Sequence, residues 1–426
     1  MLILLASLFV FIILGVPIGY SLGLSSFAYF FFEQPMLMGI LPQRLFAGMN
    51  NYALIALPLF ILMGQVMNSG GITARLLDFS MLFVGRFKGG LGLVNVLASM
   101  IFGGISGSAA SDTASIGSIL IPEMKRRGYS VHFAAGITVA SSTMGMIIPP
   151  SMAMVLYAIV AQESVGQLFM AGIIPGIMIG FFQFGIVYWL SIRRDYPMEK
   201  VPFTTENVVR QFRRSGLVLL MPLLVVGSVV FGIATPTESA GLGVLYGLII
   251  GLFIVGTESF KTFPKSLHSA IITTAKIMVV IAFSQLYIWV LALERIPDAL
   301  AAFVISLELG PTALLMLMSV VILIAGTFID VSPAILLLTP VLLPAVTAVG
   351  VSPVHFGVLM VSGLAVGTCT PPVGTCLNVC AAIARMGIGQ IFVGAAPFLA
   401  ANTFVLFLIC IFPDLVMWIP NMVYGN

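Results

Sequence analysis

Charge is what this chain has least of. Only 8% of its 426 residues are Asp, Glu, Lys or Arg, about a third of the share that a water-facing globular surface carries. A soluble domain is thereby excluded. The formal net charge of +3 is small and scattered, so nucleic acid is not a partner. Histidine is nearly missing, at three residues, and no motif supports nucleophilic catalysis or zinc hydrolysis. There is no GxxxxGK[ST] phosphate loop either, so the chain should not hydrolyse ATP and no enzyme activity is expected. The four cysteines, Cys369, Cys376, Cys380 and Cys410, sit in apolar surroundings and suggest no disulfide framework. Cys376 and Cys380 share a helical face, yet no nearby His or carboxylate completes a metal site, so small packing residues are expected.

What the chain has instead is apolar length. Hydrophobic residues make up 60% of it and the mean hydropathy is +1.16. At about 20 residues per helical span, that length holds roughly ten membrane crossings. Met1 runs directly into LILLASLFVFIILG. This stretch lacks a basic n-region and is followed at once by further apolar segments, so it is expected to be a retained first membrane helix.

Basic residues gather in few places: Arg86 and Lys88, Lys125 to Arg127, residues 193–214, and Lys261 with Lys265. The positive-inside rule makes these cytoplasmic. Residues 193–214 are the longest polar stretch and divide the chain into a first half, 1–192, and a second, 215–426.

The halves repeat one another. SGSAASD in the first has AGTFID as its counterpart, and Pro122 follows Asp112 by ten residues as Pro340 follows Asp330. YSVHF (129–133) matches SPVHF (352–356), then Pro149-Pro150 matches Pro371-Pro372, and GQLFMAGIIP (166–175) matches GQIFVGAAP (389–397). Lys and Arg flank the first Asp-containing unit, whereas none occurs between Arg295 and Arg385. Similar sequence with opposite charge bias predicts an inverted repeat, a pattern of secondary transporters; two parallel duplicated bundles are the competing arrangement.

Each half predicts a re-entrant hairpin. Residues 89–102 and 113–124 are apolar, both outer ends are basic, and GGISGSAASD (103–112) lies between them as a tip within the membrane. Residues 311–349 repeat the pattern with GTFIDVS (326–332) as tip. A helix broken mid-span follows each hairpin. Residues 131–146 meet IIPPS before 152–161, and residues 354–366 meet GTCTPPVG before 375–384. The second proline of each pair lacks an N–H, and both disfavour helix in the residue before them. Orphaned backbone groups at that depth need protein or a watery cavity around them. A packing kink would be the bland account. Paired breaks beside Gly/Ser-rich tips favour coordination: unwound carbonyls and hydroxyls for Na⁺, half-helix N-termini for a carboxylate.

Asp112 and Asp330 hold matching places in the tips, where an ionisable group is expensive; each could also be only an N-cap. His132 and His355 sit at the entry ends of the broken helices, where capping or interface packing is expected rather than proton transfer. Lys276 lies within an otherwise apolar segment, 270–291, to snorkel or to face a polar partner subunit or lipid headgroup.

GGISGSAASDTASIGSILIPEMKRRGY, ASSTMGMIIPPS, GTFIDVSPAILLLTP and VGTCTPPVGTCLN together resemble the large membrane subunit of tripartite ATP-independent periplasmic (TRAP) transporters, over nearly the whole chain. The resemblance implies an all-α polytopic protein of the bacterial inner membrane with an elevator-type fold. Hairpins and broken helices would move against a scaffold formed by aliphatic segments before Arg193 and after Ser215. Stretches near 72–84 and 296–307 would be the connecting arms. It further implies import of a carboxylate, sialic acid or a C4-dicarboxylate, coupled to two or more Na⁺. The implied partners are a periplasmic substrate-binding protein and a separate four-helix small membrane subunit. Carried onto these residues, one Na⁺ site falls around Ser106, Ser108, Ser141 and Gly145. A second falls around Gly326, Thr327, Gly367, Thr368 and Thr370, and the substrate near Ser108, Asp112, Ser151 and Asp330. A stand-alone Na⁺/carboxylate symporter and a channel are the alternatives.

Overall fold

The computed structural model describes residues 2–69, 72–199, 203–255 and 263–425. Among them every regular element is helical. Lys261 and residues 200–202 of the polar linker lie outside the described residues. Six helices are long and apolar enough to cross a membrane, or up to eight if each of two bent pairs is one span. That is fewer than composition suggested, for a geometric reason. Much of the apolar sequence forms helices of 10–17 residues, such as Leu2–Ile13, Val331–Thr347 and Thr375–Ala384. At 1.5 Å per residue, ten residues cover about 15 Å, half of a hydrocarbon core.

Both hairpins are present. The first consists of Gly90–Ser106 and Ala109–Arg126, the second of Pro311–Phe328 and Val331–Thr347. The first tip is far shorter than the ten-residue interruption expected from the sequence: only Gly107 and Ser108 leave the helix. Gly103 is helical and serves close approach, because a Cβ there would lie 2.8 Å from the Gly145 Cα. Gly107 does make the turn, at φ +62°, a left-handed conformation that glycine adopts without steric cost.

The broken helices follow. Val131–Ser142 and Met144–Ile147 lead to Met152–Ala161 across a bend of 42°, and Pro353–Gly367 leads to Thr375–Ala384. The Pro149-Pro150 and Pro371-Pro372 bonds are both cis. The two broken helices run antiparallel and in contact. The Cys380 thiol donates to the Ala135 carbonyl (3.7 Å), the Cys369 thiol to Val139 (3.3 Å), and the Tyr157 hydroxyl to Pro353 (2.7 Å). As residue numbers rise along one, they fall along the other, so the repeats are inverted rather than parallel.

One face of the molecule carries the base of the first hairpin and the polar linker. Lys88 bonds Asp195 at 2.7 Å, Arg127 pairs with Glu199 and Glu123, and the Gly89 amide donates to Pro197 (3.2 Å). The first broken helix starts on this face and ends beside Pro353, where the second starts. Short helices Ile72–Val84 and Ile296–Ser306 precede the hairpins, the first packing on Gly90–Ser106 and the second on Val331–Thr347. Val165–Arg193 packs on the first hairpin and first break, while Thr205–Val230 packs on helix Ile72–Val84. A smaller second core joins the two N-terminal helices to Phe263–Leu293 through Leu4, Leu22, Phe30, Leu286 and Val290.

Candidate functional site

The first tip closes on the first break through one carboxylate. Helix Ala109–Arg126 begins four residues earlier than an Asp112 cap requires, with Ser108 in the N-cap position, so Asp112 lies in the first turn. Its side chain is fully buried and accepts from Ser106 Oγ through Oδ1. Oδ2 is buried with no hydrogen-bond partner among the described residues and faces Gly145, where an added Cβ would sit 2.1 Å from it. A buried oxygen of this kind calls for a donor or a cation, since leaving it bare is costly. Ser108 completes the tip, its amide donating to Ser106 Oγ (3.2 Å) and its carbonyl accepting from the Asp112 amide (3.0 Å).

Two side-chain amides hold the end of helix Val131–Ser142 in the first broken helix. Asn402 Nδ2 donates to the Ala140 carbonyl (3.1 Å) and to Thr143 Oγ1 (3.0 Å). Gln183 Nε2 reaches the same carbonyl (3.0 Å) and Asn402 Oδ1 (2.8 Å). Groups orphaned by the break are thus met by side chains, as depth in a membrane demands. Ser151 caps Met152–Ala161, receiving the Met154 amide (3.3 Å) and donating to Met146 (2.5 Å).

The second tip and break repeat the backbone contact without the carboxylate. Gly326 and Gly367 touch directly: a Cβ on Gly367 would lie 2.6 Å from the Gly326 Cα. The Val373 amide donates to Thr327 O (3.2 Å) and the Cys376 amide to Thr368 O (3.1 Å). The hydroxyls of Thr327, Thr368 and Thr370 all turn back to carbonyls of their own helix, at 2.7, 2.8 and 2.9 Å. Asp330 holds the N-cap position of Val331–Thr347, yet makes no side-chain cap bond and is exposed.

Both tips and both breaks meet at one cavity of about 250 Å³. Ser108 lines it from the first tip, Asp330 and Ser332 from the second, Met146 from the first break, and Thr368 and Thr375 from the second. Its opposite wall is Leu57 and Ile61 with Thr273, Lys276 and Ile277 of Phe263–Leu293.

The residues singled out in the sequence therefore divide. Ser106, Ser108, Asp112 and Gly145 come together at the first tip, and Gly326, Thr327, Gly367 and Thr368 at the second. Ser141 turns away, its hydroxyl engaged by Ser99 (2.9 Å) and Asn95 (3.1 Å) within the packed hairpin. Asp112 and Ser151 are buried behind the cavity wall rather than on it. Among the histidines, His355 is buried and donates to the Ile409 carbonyl (2.8 Å), and His132 is exposed beside the linker. Asn402, Gln183 and Asn95 escaped sequence analysis, although a buried amide in an apolar helix was a visible signal. The four cysteines are free and buried.

A family model described as "Tripartite ATP-independent periplasmic transporter, DctM component" matches residues 5–415. The Vibrio cholerae sialic acid TRAP transporter large permease protein SiaM is 34% identical over 411 residues, covering 96% of either chain. The Pseudomonas aeruginosa C4-dicarboxylate large permease DctM is 35% identical over 405 residues, covering 94% of each. The isethionate permease protein DctMQ of Oleidesulfovibrio alaskensis is 36% identical over 408 residues, 96% of this chain and 64% of that one. Among solved structures, the Alcanivorax borkumensis YdaH transporter superposes with a TM-score of 0.63 at 15% identity, covering 91% of this chain and 88% of that one. Neisseria gonorrhoeae MtrF gives 0.64 at 13% identity, covering 90% and 85%. At such identities the likeness is one of fold.

Proposed function

This chain belongs to the DctM component family of TRAP transporters, as a multi-pass permease of the bacterial inner membrane, and we propose that it imports an organic acid in symport with Na⁺. The substrate is delivered by a periplasmic binding protein, and a small membrane subunit completes the complex. The observation that carries this is the convergence of two hairpin tips and two broken helices on one cavity. Each tip-and-break pair brings two interrupted helices together, and the first adds the bare Oδ2 of Asp112. Na⁺ suits both, and the acid occupies the space between them. Hairpins and broken helices lie in one large core that also takes in parts of Ala56–Ser69, Thr205–Val230 and Phe263–Leu293, while the N-terminal helices pack on Phe263–Leu293 in a smaller one. In an elevator the cavity would be carried past Phe263–Leu293, with the smaller core as part of the fixed frame. Relatives named for sialic acid, C4-dicarboxylates and isethionate support an organic anion as the substrate class.

Coupling follows from charge. Each net positive charge entering down the potential contributes about 2.3 kcal/mol per 100 mV, so two Na⁺ with one monoanion favour import. The test is reconstitution of the chain with its small subunit and binding protein in liposomes. Acid uptake should require an inward Na⁺ gradient, and Asp112→Asn should raise the half-saturating Na⁺ concentration about tenfold or more. Uptake undiminished in the absence of any cation gradient would refute the coupling. Full activity of the chain alone would instead indicate a stand-alone symporter.

A further inference from the structure

Phe263–Leu293 carries Lys265 near its start, and the one charged residue deeper in this largely apolar helix is Lys276, which a membrane span does not hold cheaply. Lys276 lies 13 residues from its start and 17 from its end, about 20 and 26 Å along the axis. That places the ammonium far from either helix end, beyond comfortable snorkelling. It does not face away from the site. Thr273, Lys276 and Ile277 occupy one helical face, and all three line the central cavity.

The ammonium is exposed there, and among the described residues no carboxylate pairs with it. Lys276 is the one basic side chain on the cavity wall, and Asp330 the one carboxylate, presented from the second tip. No ion pair joins them. An ionisable residue at mid-span marks a substrate pathway or a partner charge, and the wall opposite the tips supplies no other.

We propose that Lys276 is the anion-recognising residue of the cavity, pairing with the acid group of the substrate from the wall opposite the hairpin tips. Asp330 repels a carboxylate or sulfonate, so the acid end turns toward Lys276 and the remainder of the molecule toward the tips. A charge-assisted bond in a site sheltered from water is stronger than a neutral one. The inference rests on the organic-acid reading given above, and deepens it by naming the group that selects for a single acid head.

The test uses the reconstituted three-component complex with labelled sialic acid, succinate and isethionate as probes, each under an inward Na⁺ gradient. For whichever acid the wild type imports, Lys276→Met and Lys276→Gln should raise KM about 10- to 100-fold while the maximal rate changes far less. Lys276→Arg, which keeps the charge, should stay within about fivefold of wild type. Gel-filtration profile and melting temperature establish that each variant is folded, and the Arg-against-Gln contrast stands if the Met variant is not. A KM for both neutral variants within twofold of wild type, with acid uptake intact, overturns the assignment of Lys276 alone. Restored uptake in Lys276→Met/Asp330→Asn overturns it too, by revealing a salt link between wall and tip rather than a substrate contact. Import of a neutral amide as readily as its acid, or of none of the three probes, overturns the organic-acid reading together with this inference.

Discussion

The two tip-and-break pairs share a backbone plan and differ in everything attached to it. Gly103 meets Gly145 in the first as Gly326 meets Gly367 in the second, and each contact leaves no room for a side chain. Around the first, a buried carboxylate, a serine and two amides fill the surroundings. Around the second, the hydroxyls turn inward on their own helices, Pro372 and Val373 are exposed, and Asp330 faces the cavity. An inverted repeat thus preserves the close approach of helix to helix and leaves the polar chemistry free to diverge. The first half is built as a closed contact supported by buried side chains, and the second as a more exposed one facing the cavity.

Alanine at the contact glycines gives the widest separation. In Gly367→Ala the new Cβ meets the Gly326 backbone at 2.6 Å, which cannot yield, so uptake should fall more than tenfold with a loss of about 1–3 kcal/mol in stability. In Gly145→Ala the obstacle at 2.1 Å is the end of Asp112. Removing it in Gly145→Ala/Asp112→Ala should return the melting temperature toward wild type though not the Na⁺ dependence. Equal behaviour of the two alanine variants, with no rescue by the double change, would show that the halves are held alike.

The supporting amides separate the halves next. Asn402→Ala removes two donated bonds and one accepted bond in the buried first break, an expected loss of about 2–3 kcal/mol. Asn378→Ala removes one exposed bond to Val373 in the second, 2.8 Å long, an expected loss below about 1 kcal/mol. Thermal denaturation in detergent ranks them, and an inverted order breaks the contrast.

The smallest effect lies at the linker. Lys88 bonds Asp195 and holds that carboxylate below its usual range. A depressed folded pKa means the contribution is complete above the unfolded value, about 4, and fades as pH falls through the folded one. Lys88→Met should therefore speed amide exchange at residues 195–199 only a few-fold at neutral pH, as exposed pairs contribute little. The difference should shrink at pH 2.5; a gap that persists there would assign the effect to packing rather than charge.

Much of this was legible in the sequence because it rests on pattern. Scarce charge fixes the solvent as lipid, matched landmarks reveal the repeat, and prolines mark where helices must break. Tip length was not legible: Gly103 and Gly104 look like helix breakers and instead remain helical, packed against Gly145 and the Pro149 carbonyl. The resemblance places Ser141 around an ion site, and the sequence does not record that Ser99 and Asn95 on the neighbouring helix engage its hydroxyl.

The sequence by itself determined a polytopic membrane protein of two repeated halves, with a broken helix and a re-entrant tip in each, and the antiparallel run of the broken helices in the fold made the repeat an inverted one. Only the tertiary structure decided that Asp112 is buried against Gly145 while its counterpart Asp330 lines the cavity, and that Lys276 faces both tips instead of lipid. Spacing along the chain sets where a helix can start, turn or break. Which side chain reaches a shared space depends on the rotation of each helix against partners far away in sequence, and no repeat records that.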